Sequence, residues 1–193
     1  MTESSTVRLT ADNLKGLAHP LRVRLLGLLR TYGPATASSL AAELGLSSGV
    51  LSYHLRQLAR YGFIVEDSAR GTGRDRWWRA AHASTEFDLS LPGQAGEGQV
   101  YEDAVVTAMS SALARARAGR ADLPAEWQRV FDVSDVLLRL TPEEASGLAA
   151  ELLAVLRRYR PHRPPDPGPP GSRLVQAQFQ IFPVPASPAL GEP

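Results

Sequence analysis

The sequence predicts a mainly α fold with small β elements (α+β). A winged helix-turn-helix domain is followed by a long dimerisation helix and a small strand-helix-strand C-terminal domain. Three observations predict this. Two short amphipathic segments, TASSLAAELG and SSGVLSYHLRQLARYG, meet at a tight turn containing Gly45. The helical period then gives way to two short alternating runs around the Gly-rich stretch ARGTGR. Far behind them, LVQAQFQIF alternates strictly between apolar and polar residues after a proline-rich stretch.

Each element has its own signature. Residues 1–9 read as frayed, and ADNLKGLAHP as a short helix with Leu14, Leu17 and Ala18 on one side. Pro20 opens the next helix, where its missing N–H costs little, and Leu21, Leu25, Leu28 and Leu29 mark its apolar face up to Gly33-Pro34. Thr36 or Ser38 caps the first helix of the pair, and Gly45 ends it in the left-handed conformation. Ser47 caps the second. FIVED and DRWWRA are the strands of a hairpin, the wing, and 83–98 is a linker without a clear period. A helix at 99–118 carries a stripe of mostly small residues and stops at Gly119. FDVSDVLLRL reads as a strand. TPEEASGLAAELLAVLRRYR is a helix with Thr141 as cap, Pro142 in first position and Glu144 closing a capping box. PHRPPDPGPPG is a linker, LVQAQFQIF a half-buried strand, and 183–193 a disordered tail. The expected domains are therefore 10–82 and 99–182, joined by 83–98.

Composition narrows the function. The 193 residues suit one large domain or two small ones, and 44% hydrophobic residues suffice for a core. Net charge is only +1, but it is unevenly spread. Residues 15–80 carry ten Arg/Lys against four Asp/Glu, a net of +6, and residues 81–193 carry ten against fourteen, a net of −4. A basic front suggests that this part meets a polyanion. With no cysteine, disulfides, thiolate metal sites and cysteine catalysis are excluded. No apolar run approaches the ~18 residues of a membrane span. MTESSTVRLT lacks the apolar core of a secretory signal, so the expected location is the cytoplasm. No His-carboxylate pair, Ser-His-Asp set or phosphate-binding Gly loop stands out, so no catalytic residue is assigned.

The segment at 47–62 carries the functional reading. With Leu51 at the centre of the buried side, Leu55 and Leu58 lie close to it. Gly49, Ser52, Tyr53, Arg56 and Arg60 lie opposite, and Val50 and Gln57 flank one edge. Small residues at the start let a helix enter the major groove, about 12 Å wide, and its first N–H groups meet phosphate. One turn later, Arg and Gln are long enough to reach base edges. A solvated amphipathic face explains the helix equally well in isolation. The capped helix before it and the basic hairpin after it favour duplex DNA. The candidate DNA contacts are Thr36, Ser47, Ser48, Gly49, Val50, Ser52, Tyr53, Arg56, Gln57 and Arg60, with Arg70, Thr72, Arg74 and Arg76 on the wing.

LKGLAHPLRVRLLGLLR, then SSLAAELGLSSGVLSYHLRQLARYGFIVE, then RGTGRDRWWR, resembles the winged-helix regulators of the ArsR type over residues 11–82. The resemblance implies a homodimeric transcription regulator, usually a repressor, on a two-fold related, pseudo-palindromic operator. The back half also resembles longer members with an LTPEE helix and a late strand. The sequence departs from the metal-sensing members, which place a Cys pair in the helix before the recognition helix. SSLAAELG has neither thiol nor His there. Others use carboxylates and His on the helix after the wing, where only Glu102 and Asp103 stand here. His19, His54, His82 and His162 lack metal-ligand spacing, so neither metal nor cofactor is expected.

Other residues draw plainer readings. His19 is a capping or packing residue, and His54 makes a structural hydrogen bond. One of Trp77 and Trp78 faces the core. The expected dimer seam joins Leu14 to Tyr101, Val105, Ala108, Met109, Ala112 and Ala116 of the helix after the wing. The unit at 131–182 leaves room for an effector, a small apolar or aromatic molecule, between the helix at 143–159 and its strands. The rival reading is a winged-helix protein-protein interaction module.

Overall fold

The computed structural model describes residues 6–70, 75–86, 95–185 and 187. The chain divides into two compact units, residues 1–122 with 162–169, and residues 123–161 with 170–193.

In the first unit, β1 (Thr6–Arg8) leads into α1 (Ala11–Leu14), α2 (Pro20–Tyr32), β2 (Ala35–Thr36), α3 (Ala37–Leu44) and α4 (Ser48–Arg60). The wing follows as β3 (Ile64–Glu66) and β4 (Trp77–Ala80), then β5 (Ser84–Glu86) and α5 (Ala95–Ala118). This is an α+β winged helix. Strands β3 and β4 pair antiparallel, with Ile64 opposite Ala80 and Glu66 opposite Trp78. β2 adds a third strand on the other side of β4, with Ala35 opposite Trp78. One core joins Leu14, Leu17, Leu25, Leu26 and Leu29 to Leu40 of α3, Leu51, Leu55 and Leu58 of α4, and Phe63, Ile64 and Trp78 of the wing. Trp78 is buried and Trp77 half-buried, as alternation on a strand requires.

Three expectations change in this unit. Residues 6–9 are ordered: β1 pairs in parallel with β5, Thr6 opposite Ser84, and Leu9 is wholly buried. Part of the expected linker is therefore strand, and α5 begins at Ala95 rather than Gln99. The remainder of that linker, 87–94, lies outside the described residues. The first helix ends at Leu14, not Pro20, and the chain turns through 15–19 before α2. The proline-rich stretch is more than a spacer, because a ring nitrogen of His162 lies 2.7 Å from the Thr31 carbonyl.

Two residues of the expected dimer seam belong to the protomer's own core. Leu14 is fully buried, and Tyr101 packs in the same cluster, because the first half of α5 lies against α2. Val105 is half-buried on that core, Ala108, Met109 and Ala112 are half-buried or exposed around it, and Ala116 is exposed.

In the second unit, α6 (Ala125–Gln128) and α7 (Pro142–Leu156) are the helices. The start of α7 is as expected: the Thr141 N–H donates to Glu144 Oε2 (2.7 Å), and the Glu144 N–H donates to Thr141 Oγ1 (3.2 Å). The strands expected at 131–140 and 174–182 are not formed; both segments are irregular. A strand needs a hydrogen-bonded neighbour, and neither segment is paired by the other or by a third.

Candidate nucleic-acid interface

The turn between α3 and α4 fixes the interface. The Thr36 hydroxyl accepts from the Ser39 N–H (3.1 Å), and Ser39 Oγ accepts from the Thr36 N–H (3.0 Å). This capping box starts α3. Gly45 ends it at φ 65° and ψ 32°, a left-handed conformation costly for any residue with a Cβ. Leu46 follows, and the Ser47 hydroxyl then accepts the Val50 N–H (3.4 Å), capping α4. The Leu51, His54, Leu55 and Leu58 side of α4 is buried.

The opposite side is open. Ser47, Ser48, Gly49, Val50, Tyr53, Arg56 and Arg60 are exposed, and Ser52 and Gln57 are partly so. No carboxylate pairs with Arg56 among the described residues, and the Arg60 guanidinium lies 5.8 Å from the centre of the Tyr61 ring. A helix that opens on small residues and carries Arg and Gln one turn later is thus presented clear of its own core. Thr36 is the exception among the candidate contacts: it is buried and its hydroxyl is committed to the cap.

On the wing, Arg70 and Arg76 are exposed but engaged. Arg70 Nε lies 3.6 Å from Asp67 Oδ2, with its guanidinium over Trp77, and Arg76 Nε lies 3.2 Å from Glu66 Oε2, over Trp78. Both pairs are open to water and therefore weak enough to exchange for phosphate. Thr72 and Arg74 lie outside the described residues.

Two features beside the interface escaped the sequence reading. Beneath α4, the His54 ring lies 4.5 Å from that of His19 at the start of α2. His19 Nδ1 accepts the Leu21 N–H (3.1 Å), so that nitrogen carries no proton, and His19 caps α2. Arg22 Nη2 donates to the Lys15 carbonyl (2.7 Å). Arg22 Nε and His54 Nδ1 are buried with no hydrogen-bond partner, so the structural hydrogen bond expected of His54 is replaced by ring packing. Burial lowers both histidine pKa values; Arg22 lowers them further, and His19 adds to the effect on His54. The second feature is Arg30. Its Nε donates to the His82 carbonyl (3.0 Å) and its Nη2 to Thr85 Oγ1 (2.8 Å), tying α2 to the strand that leaves the wing. Burial pulls its pKa down to about 10 against an opposing pull from Tyr101. A lone Arg on an amphipathic helix gives no sign of such a tie in sequence.

Among the described residues, no three His, Asp or Glu side chains gather as a metal ion would need, and no helix is long and apolar enough to cross a membrane. A shallow cleft of about 300 Å³ lies between α2 and α3, lined by Leu28, Tyr32, Pro34, Leu40 and Glu43 among others, away from the place expected for an effector.

The fold and this surface together define a helix-turn-helix domain of the DNA-binding regulator class. A family model described as a helix-turn-helix domain matches residues 17–67, from the end of α1 through β3. No curated protein matches the chain.

Proposed function

We propose that this protein is a sequence-specific, DNA-binding transcription regulator, cytoplasmic and homodimeric, that represses by occupying a pseudo-palindromic operator. The observation that carries this is the exposed face of α4: a capped N-terminus of small residues, then Tyr53, Arg56, Gln57 and Arg60, all outside the core. Ser48 and Gly49 admit the helix to the major groove and offer backbone N–H groups to phosphate, and Arg56 and Gln57 read base edges. The wing lies alongside, where Arg70 and Arg76 exchange their carboxylate partners for the DNA backbone. A small apolar or aromatic effector would act through the second unit.

An anisotropy titration with DNA from upstream of the gene itself tests the reading. Binding that weakens as salt rises is expected, and no binding even at low salt would refute it. Arg56→Ala should cost about 1–3 kcal/mol on the preferred site and relax the choice of base there. Equal losses on specific and bulk DNA would reassign Arg56 to the phosphates.

The pairing of Arg70 with Asp67 and of Arg76 with Glu66 also suits a protein-interaction module with a less basic wing. Retention on heparin separates the two: a DNA reader is held and released by salt, and an interaction module passes through.

A further inference from the structure

The second unit lacks a core of its own. None of its described residues is buried, yet it exposes sixteen large apolar side chains, from Val130 and Leu137 through Leu156 to Phe179 and Phe182. Leu137 is 81% exposed and Phe182 68%. A segment with the alternation of a strand, 174–182, has no neighbouring strand. Such a unit cannot offset the entropy of ordering its chain by itself.

We propose that a second copy of this chain completes the unit, with 174–182 pairing antiparallel to its own counterpart across a two-fold axis. This deepens the dimeric part of the proposed function and moves the seam from α5 to the second unit.

Three observations select a second copy over another occupant. The first is charge. LVQAQFQIF has no charged side chain, so nothing repels an identical strand, and it lacks the lysines that guard solitary edges. Gln176, Gln178 and Gln180 carry amides that both donate and accept, and are therefore complementary to themselves. The second is area. At about 70 Å² per side chain, the exposed set would bury on the order of 1,100 Å² per copy and about 2,200 Å² for two, within the range of obligate dimers. The third is constancy. A unit without a core needs its partner whenever it is folded, and a second copy is made wherever the first is. Permanent interfaces, unlike transient ones, resemble a core cut in half.

Alternation fixes the register class. A one-residue slip would set Val175, Ala177, Phe179 and Ile181 against glutamines, so residues of like parity must face each other. The axis then passes through a single residue position, which faces its own copy about 4.5–5.5 Å away, a span a disulfide bridges.

Mass and cross-linking on the full chain test this. Light scattering should give twice the 20.8 kDa of one chain, and Phe179→Asp should halve that mass while far-UV circular dichroism keeps its helical signal. The chain has no cysteine, so single substitutions to Cys at each position from 176 to 180 form a clean scan. One of them should give a disulfide-linked dimer under mild oxidation, and Ala116→Cys on α5 should not. A monomeric wild type would overturn the proposal, as would a mass that doubles only when another protein or a metabolite is added. So would a dimer that persists in Phe179→Asp, or cross-linking of the Ala116→Cys variant with none at 176–180. The scan decides alone if Phe179→Asp fails to fold. DNA affinity is not read in either experiment, so failure here and failure of the DNA-binding reading are told apart.

Discussion

At the residue scale, two positions bear on how α4 is held. Gly16 has no room for a side chain: a Cβ there would lie 2.6 Å from Tyr61 Cβ and 2.7 Å from Phe63 Cε2. Both neighbours stand where α4 passes into β3, so the turn after α1 is pressed against that junction. Gly16→Ala should destabilise the fold by about 1–3 kcal/mol, because Phe63 is fully buried and the Tyr61 Cβ is fixed to backbone. Denaturant melts of the two proteins measure it, and an unchanged midpoint would mean that the junction yields easily. The His19–His54 contact makes the second prediction. Both pKa values are lowered on folding, so the unfolded chain binds more protons than the folded one just below the ordinary value of 6.5. Stability from this pair is complete above that value and is lost as pH falls through it. Arg22 faces both rings, and Tyr53 and Tyr61 face Arg22; no carboxylate acts on either histidine to reverse the sign. The melting temperature should fall between about pH 7 and 5, and His54→Gln should flatten that slope. A slope unchanged by the substitution would place the acid sensitivity elsewhere.

At the element scale, what could be read in advance follows the range of the interactions. Helices with local punctuation were legible: Pro20, Gly33, Gly45, Ser47 and the Thr141–Glu144 box all act within one turn of chain. The exposed face of α4 was legible for the same reason, since three buried leucines at helical spacing define its opposite. The β1–β5 pair was not. It joins residues 78 apart in sequence through strands of three residues each, too short to show a period. β2 is shorter still, and its pairing with β4 depends on where α3 sits. Thr36 was half legible: capping follows from its position, but its burial depends on β2 and β4 beside it. The strands expected at 131–140 and 174–182 show the converse limit. Alternation records that a segment has two faces and says nothing of whether its partner lies in the same chain. The caps also give a graded test. Thr141→Ala removes an exposed box at the start of α7 and should cost about 1 kcal/mol. Thr36→Ala leaves the Ser39 N–H without its acceptor beside a buried position and should cost more, up to about 2 kcal/mol. Equal losses in thermal melts would show that burial adds nothing to the Thr36 box.

At the scale of the whole molecule, function rests on doubling a surface that is weak singly. One α4 offers two arginines and a few N–H groups, a modest footprint on DNA. Two copies related by a two-fold axis double every contact and demand a fixed spacing of about 34 Å between half-sites. Doubling leaves a quantitative trace in the salt dependence. Each phosphate contact contributes about 0.9 to the slope of log affinity against log salt. Arg60, exposed at the last turn of α4, is the residue best placed to meet phosphate rather than a base edge. On a full operator, Arg60→Ala removes that contact from both copies and should flatten the slope by about 2; on an isolated half-site it should flatten it by about 1. Titrations over a range of salt with both DNAs measure the ratio. A ratio of one would mean that a single recognition helix touches DNA at a time, and the second unit would then join copies for some purpose other than reading a palindrome. A ratio of two ties the apolar seam of the second unit to the polar face of the first, since only a joined pair holds both helices on one site.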